Sequence, residues 1–263
     1  MKTVKKNNYT FKIEKDMVFA EHNWAPNGFY EDQFQNNWEE DTFEILDYYK
    51  NTNKICIDIG AWIGPTVLYS SNLFKHIFAL EPDPIALDYL YKNISTNNVT
   101  VIEKALSNEN GIQSFGGNGG LGNSMSTLLV NDTNWNERSN RFNIKKRNQD
   151  IIKVKTITIE TLLNKYNINA NNIGLIKMDI EGGELYVIPA IEEFLTKYKP
   201  PIYISFHCPP LTKTEIDYLI TILTKIYKNM YIFNNGKKNI TKKEILQPGN
   251  SHLIYETIVF DNN

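Results

Sequence analysis

Two cysteines in 263 residues are too few for a disulfide framework or a zinc cluster. Both lie in apolar runs, Cys56 in KICIDI and Cys208 in ISFHCPP, where a free thiol packs as a small hydrophobe. An excess of one charge is also lacking. With 28 basic and 30 acidic side chains the net charge is −2, and no basic block large enough to cover a face is present. Nothing therefore recruits a polyanion by charge, and nucleic acid is not an expected partner. No apolar stretch follows the charged start MKTVKKNNYTFKIEKD, so neither a signal peptide nor a membrane anchor is expected, and the chain is placed in the cytoplasm. Repeats and Pro- or Ser-rich linkers are missing too. One domain is expected over residues 51–263, preceded by an extension or cap over residues 1–50. What is present, 41% hydrophobic and 22% charged residues, describes a soluble globular chain with material for one large core.

Short apolar runs alternate with helical patterns. ICIDI (55–59) precedes GPTVLYSSNLF, and HIFALE (76–81) precedes PIALDYLYKNI, with Pro84 suited to a helix start. VTVIEKAL (99–106) is a third strand. NIGLIKMDI (172–180) then leads into one helix over ELYVIPAIEEFLTKY, and PIYISFH (201–207) into TKTEIDYLITILTKIY. This alternation predicts an α/β fold, a mostly parallel sheet with helices on both faces. MYIFNNGKK (230–238) and SHLIYETIVF (251–260) have no long helix between them and predict a closing antiparallel hairpin at the sheet edge. VKTITIETLLNKY (154–166) reads as an edge strand entering a helix capped by Thr158, and EEDTFEILDYYK (39–50) has helical spacing. Residues 131–150 form a polar excursion.

The turn after the first strand reads Asp58-Ile-Gly60-Ala61-Trp62-Ile-Gly64, which is not the three-glycine dinucleotide fingerprint. The middle glycine is missing and Pro65 removes a backbone donor, so phosphate is poorly served; an acid beside the loop suits an ammonium instead. The second strand ends in Glu81-Pro-Asp83, where a carboxylate can accept both hydroxyls of a ribose. S-adenosylmethionine has an amino-acid end and a ribose and carries no phosphate. The candidate cofactor contacts are Asp58, Gly60, Ala61, Trp62, Gly64, Glu81 and Asp83, with Ala105 and Ser107 after the third strand.

The runs IDIGAWIGPTVLYSS (57–71), FALEPDP (78–84), NSMSTLL (123–129), IKMDIEGGE (176–184) and ISFHCP (204–209) resemble the FkbM-family S-adenosylmethionine-dependent methyltransferases. The likeness spans about residues 38–210. It implies a Rossmann-like class I methyltransferase fold with a seven-stranded sheet, and methyl transfer to a hydroxyl oxygen. Sugar hydroxyls in glycans and secondary hydroxyls of natural products are the acceptors it implies. The excursion at 131–150 and the last fifty residues match nothing in that pattern, so the acceptor is not specified.

Methyl transfer to a hydroxyl needs a proton acceptor or a metal that acidifies the hydroxyl. Strand ends face the ligand crevice in such a sheet, which puts Asp179, Glu181 and Glu184 near His207 as candidate catalytic residues. Glu184 could equally be a first-turn acid favoured by the helix dipole. Asp179, Glu181 and His207 could hold Mg²⁺ or another divalent ion, and the sequence leaves base and metal both open. The loop GGNGGLGNSMS, with five glycines in positions 116–122, reads as a lid or substrate loop. Trp24, Phe29, Tyr30 and Trp38 could stack on a sugar, cover the cofactor or form a hydrophobic cap. A nicotinamide dehydrogenase and a non-catalytic cofactor-binding partner are the competing classes; the first lacks its glycine, and the acids and His207 argue against the second.

Overall fold

The computed structural model describes residues 1–16, 28–117, 120–133, 151–207, 210–246 and 257–263. The chain opens with a hairpin, β1 (Lys2–Lys6) and β2 (Tyr9–Ile13), that buries Val4, Phe11 and Ile13. A π-helical turn at Tyr30–Phe34 and helix α1 (Glu40–Tyr49) follow. Phe29, Tyr30, Phe34 and Phe43 are buried here and join edge-to-face ring contacts that reach Tyr69. Trp24 lies outside the described residues.

The chain then winds through β3 (Asn51–Ile59), α2 (Pro65–Ser70), β4 (Phe74–Leu80), α3 (Pro84–Asn93) and β5 (Val99–Ile102). Pro84 opens α3, and the Asp83 carboxylate caps it by accepting from the N–H groups of Ile85 and Ala86. A smaller sheet follows, built from β6 (Ala105–Leu106), β7 (Gly111–Gly117), β8 (Ser126–Thr127) and β9 (Ile152–Ile157) in the order β6-β9-β7-β8. The expected third strand is thus divided, its end leaving for this second sheet, and β9 belongs there rather than at the edge of the main sheet. Thr158 caps α4 (Ile159–Lys165) as expected.

The main sheet resumes with β10 (Ile173–Met178), α5 (Glu184–Ala190), α6 (Glu192–Tyr198), β11 (Ile202–Ser205) and α7 (Lys213–Ile226). β12 (Asn229–Phe233), β13 (Lys237–Asn239), α8 (Lys242–Ile245) and β14 (Thr257–Asp261) complete the chain. The single helix expected over 184–198 is two, because Pro189 cannot donate in a helix interior and the chain turns at Ile191.

The sheet order is β13-β12-β14-β11-β10-β3-β4-β5. β5 to β11 run parallel, while β14 and the strands beyond it are antiparallel. Two expectations need correction. The sheet has eight strands, not seven, because β13 folds back on β12. The last strand does not close a hairpin at the edge: β14 inserts between β11 and β12, where its Ile258, Val259 and Phe260 are buried. Burial of an apolar strand on both faces drives that insertion. Each face is covered: Ile55, Ile57 and Ile59 pack toward α5 and α7, and Cys56, Ile77 and Ala79 toward α1 to α3. The sequential direction reverses between β3 and β10, so a crevice opens at their carboxyl ends.

Candidate active site

At that crevice the turn after β3 meets the turn after β10. The Asp179 N–H donates to the Ile59 carbonyl at 3.0 Å, and Gly60 takes φ +83°, with a Cβ there overlapping the Asp179 carbonyl oxygen. Only glycine permits this approach. Trp62 and Glu181, which are not glycines, also hold left-handed φ values of 49° and 56°. Such conformations persist where surrounding contacts impose them, and they gather at functional sites.

A cavity of about 550 Å³ begins at Gly60 and Trp62 and is walled by Leu80, Leu106, Phe115 and Leu128, with Glu81, Asp83 and Ala105 on its lining. Glu81 is held from two sides. The Trp62 N–H donates to its Oε2 and the Asp83 N–H to its Oε1, both at 2.8 Å. Burial pushes its carboxyl up to about 7 against those two donors. Asp83 Oδ2 accepts from the Gly122 N–H at 2.7 Å, and the Trp62 indole donates to the Gly122 carbonyl at 2.8 Å. Gly122 is thereby tied beside the cavity, with Asn123 and Ser124 on its lining.

Other expected contacts lie elsewhere. Asp58, 1% exposed, does not line the cavity: Lys177 Nζ is 3.1 Å from its Oδ1, and the Thr66 hydroxyl donates to its Oδ2 at 2.5 Å. Its charge is already met, so this carboxylate does not face a ligand ammonium directly. Ser107 is buried against Asn108 and Gln113 and lines no part of the cavity. Gly64 packs against Leu90 of α3, and Ala61 lines the adjoining cavity instead.

That second cavity, about 1030 Å³, shares Gly60, Trp62, Asn123, Ser124 and Asp179 with the first and adds Glu181 and His207. His207 Nε2 lies 3.7 Å from Asp179 Oδ1 and 3.6 Å from Glu181 Oε1, and ligand atoms of the three residues all lie within 4.8 Å of one another. These separations are too long for hydrogen bonds and leave room for a reacting hydroxyl or an ion. Glu184 is not among them. It is fully buried, lines neither cavity and accepts the Ile180 N–H at 2.9 Å, closing the turn before α5. Burial pushes its carboxyl up to about 7, with His207 drawing it down. Glu184 sits at the first position of α5, outside both cavities.

Two site residues escaped the sequence reading. Lys177 points inward from β10, 3% exposed, with Asp58 at 3.1 Å, Asp179 at 3.9 Å and the Gly60 carbonyl at 3.0 Å. Burial alone would lower its pKa, but Asp58, Asp179 and Glu39 together raise it. A lysine inside the apolar run IKMDI was the available signal, since a buried ammonium needs partners. Glu39, at φ 43° before α1, lines the second cavity, and burial followed by the Asp179 charge pushes it up to about 8. Nothing local marks it, because the N-terminal segment reaches the site only through tertiary folding.

A family model described as Methyltransferase FkbM domain matches residues 58–231. Among solved structures, the chain is similar to methyltransferase FkbM from Methylobacillus flagellatus KT at 17% identity and TM-score 0.46, covering 80% of this chain and 44% of that one. It is similar to precorrin-6y C5,15-methyltransferase from Geobacter metallireducens at 13% identity and TM-score 0.41, covering 86% and 90%. A Streptococcus mutans protein solved in complex with SAH matches at 11% identity and TM-score 0.39, covering 84% and 95%. The chain thus spans less than half the length of the Methylobacillus protein. No curated protein sequence matches it.

Proposed function

Because the chain belongs to the FkbM methyltransferase family, we propose that it is an S-adenosylmethionine-dependent O-methyltransferase acting on a sugar hydroxyl. The observation that carries this reading is the meeting of Asp179, Glu181 and His207 within 4.8 Å, in a cavity that shares Gly60, Trp62 and Asp179 with the one presenting Glu81. The donor set fits the cofactor: apolar walls suit an adenine, and Glu81 has acceptor capacity for ribose hydroxyls. When bound, the cofactor supplies an electrophilic methyl group whose C–S bond breaks as the C–O bond to the acceptor forms.

This chain's residues then have separable tasks. Glu81 orients the ribose, and the loop tied by Asp83 and Trp62 excludes water. Asp179 and Glu181 accept hydrogen bonds from acceptor hydroxyls, and His207 Nε2 takes the proton of the hydroxyl that is methylated. The two carboxylates stabilise the imidazolium so formed. Asp179, Glu181 and His207 also have the oxygen and imidazole donors to hold a divalent ion such as Mg²⁺, which would acidify the same hydroxyl.

Labelled methyl transfer to a set of glycosides, in wild type and His207→Ala, tests the proposal. The variant should lose roughly 10²–10⁴-fold in rate, the range for a positioned proton acceptor, with cofactor affinity held within a few-fold. Full activity in His207→Ala would remove the imidazole from the reaction. Loss of wild-type turnover in EDTA, restored by Mg²⁺ or Mn²⁺, would assign the activation to a metal instead.

A further inference from the structure

A third opening, about 1350 Å³, begins at Asp179 and His207 and runs away from the cofactor cavity, between α1 and the β12–β14 end of the sheet. Five carboxylates line it: Glu39, Glu40, Asp41, Glu44 and Asp179. Among its described lining residues there is no lysine or arginine. Two nearby cations pair with lining acids, Lys6 with Glu40 and Lys177 with Asp179 as well as with Asp58. Lys237 lies over the Tyr231 ring at 3.7 Å and donates to the Tyr48 hydroxyl. The groove is a built feature, since Glu44 accepts the Gly236 N–H at 3.2 Å and joins α1 to the β12–β13 turn. Asn234, Asn235, Ser205 and Thr257 add neutral hydrogen-bonding groups. Carboxylates, amides and hydroxyls together match a polyhydroxylated ligand, and the negative charge of Asp41 and Glu44 opposes a phosphate.

We infer that this groove receives the acceptor as a phosphate-free glycoside, neutral or amine-bearing, and rejects sugar phosphates and nucleoside diphosphate sugars. The inference rests on the O-methyltransferase reading above and narrows its substrate class. The methylated hydroxyl enters between Asp179 and His207, while the rest of the sugar extends along α1 toward Asn234. Its substrate is then supplied by reactions that have already released the sugar from its phosphate carrier, such as glycosyl transfer.

The test is methyl transfer from labelled S-adenosylmethionine to matched pairs, each a methyl or amino glycoside set against the 1-phosphate and nucleoside diphosphate of the same sugar. Each pair is run in EDTA and in Mg²⁺, because a divalent ion could bridge a diphosphate to carboxylates. The phosphate-free member should be preferred at least about tenfold in kcat/KM, as like charges brought together at a recognition site require. Added salt and Glu44→Gln, or Asp41→Asn as an independent variant, should narrow that gap with S-adenosylhomocysteine affinity unchanged. Preference for the phosphate-bearing member, with or without Mg²⁺, or a gap indifferent to salt and to both variants, overturns the inference and leaves the sugar methyltransferase reading standing. No transfer to any sugar, with S-adenosylhomocysteine still binding, overturns that reading and this inference with it.

Discussion

Glu81 shows how much one side chain can be asked to do. Its two oxygens already accept backbone N–H groups that fix the turns after β3 and β4, and burial holds its carboxyl up to about 7. A ribose diol donates best to the ionised form. Cofactor affinity should therefore be full above about pH 7 and decline as pH falls through that value, by at most about tenfold per unit. Glu81→Gln keeps the size and should weaken S-adenosylhomocysteine binding by about 1.5–3 kcal/mol, the range for a hydrogen bond to a charged group, while flattening the pH dependence. Calorimetric titration across pH 5.5–8.5 checks both, and an unaltered affinity in the variant would take Glu81 out of the site.

At the scale of elements, β10 organises the site through Lys177 as much as through Asp179. Its ammonium bridges carboxylates from two strand ends and holds the Gly60 carbonyl, so the β3 and β10 turns are locked together by one side chain. Removing one partner of a buried ion pair leaves uncompensated charge. Lys177→Met should accordingly cost roughly 3–5 kcal/mol of stability, measured by urea denaturation, and the double variant with Asp58→Asn should recover part of it. A cost below about 1 kcal/mol, the level of an exposed pair, would show that water reaches the cluster.

Across the whole molecule, the half-buried Glu39 and the buried Glu81 and Glu184 lie at about 8, 7 and 7, all raised from 4.5 first by burial. The folded state then binds protons more tightly than the unfolded chain between about pH 4.5 and 8. Their contribution to stability is complete below about 4.5 and is lost as pH rises through 7–8. The ligand-free protein should melt higher at pH 6 than at pH 8.5, and Glu184→Gln should reduce the difference. A melting temperature that rises over that interval would show these groups to be better solvated than their burial implies.

Strand periodicity, Pro84 and Thr158 at helix starts, and the IKMDIEGGE and DIGAWIG runs were enough to set the α/β alternation, the crevice-facing acids and the family resemblance, because each rests on neighbours within a few residues. Tertiary structure decided what depends on distant segments meeting. β14 enters the sheet between β11 and β12 because an apolar strand is best buried on both faces. Asp58 is neutralised by Lys177 of another strand and Ser107 turns away from the cavity, neither of which spacing encodes. Glu184 and Glu181 are three residues apart, yet Glu181 lines the second cavity and Glu184 lines neither, according to the left-handed turn at Glu181 and the start of α5. Glu39 reaches the site from the N-terminal segment only because α1 packs on the same sheet, and that placement is a property of the packed core.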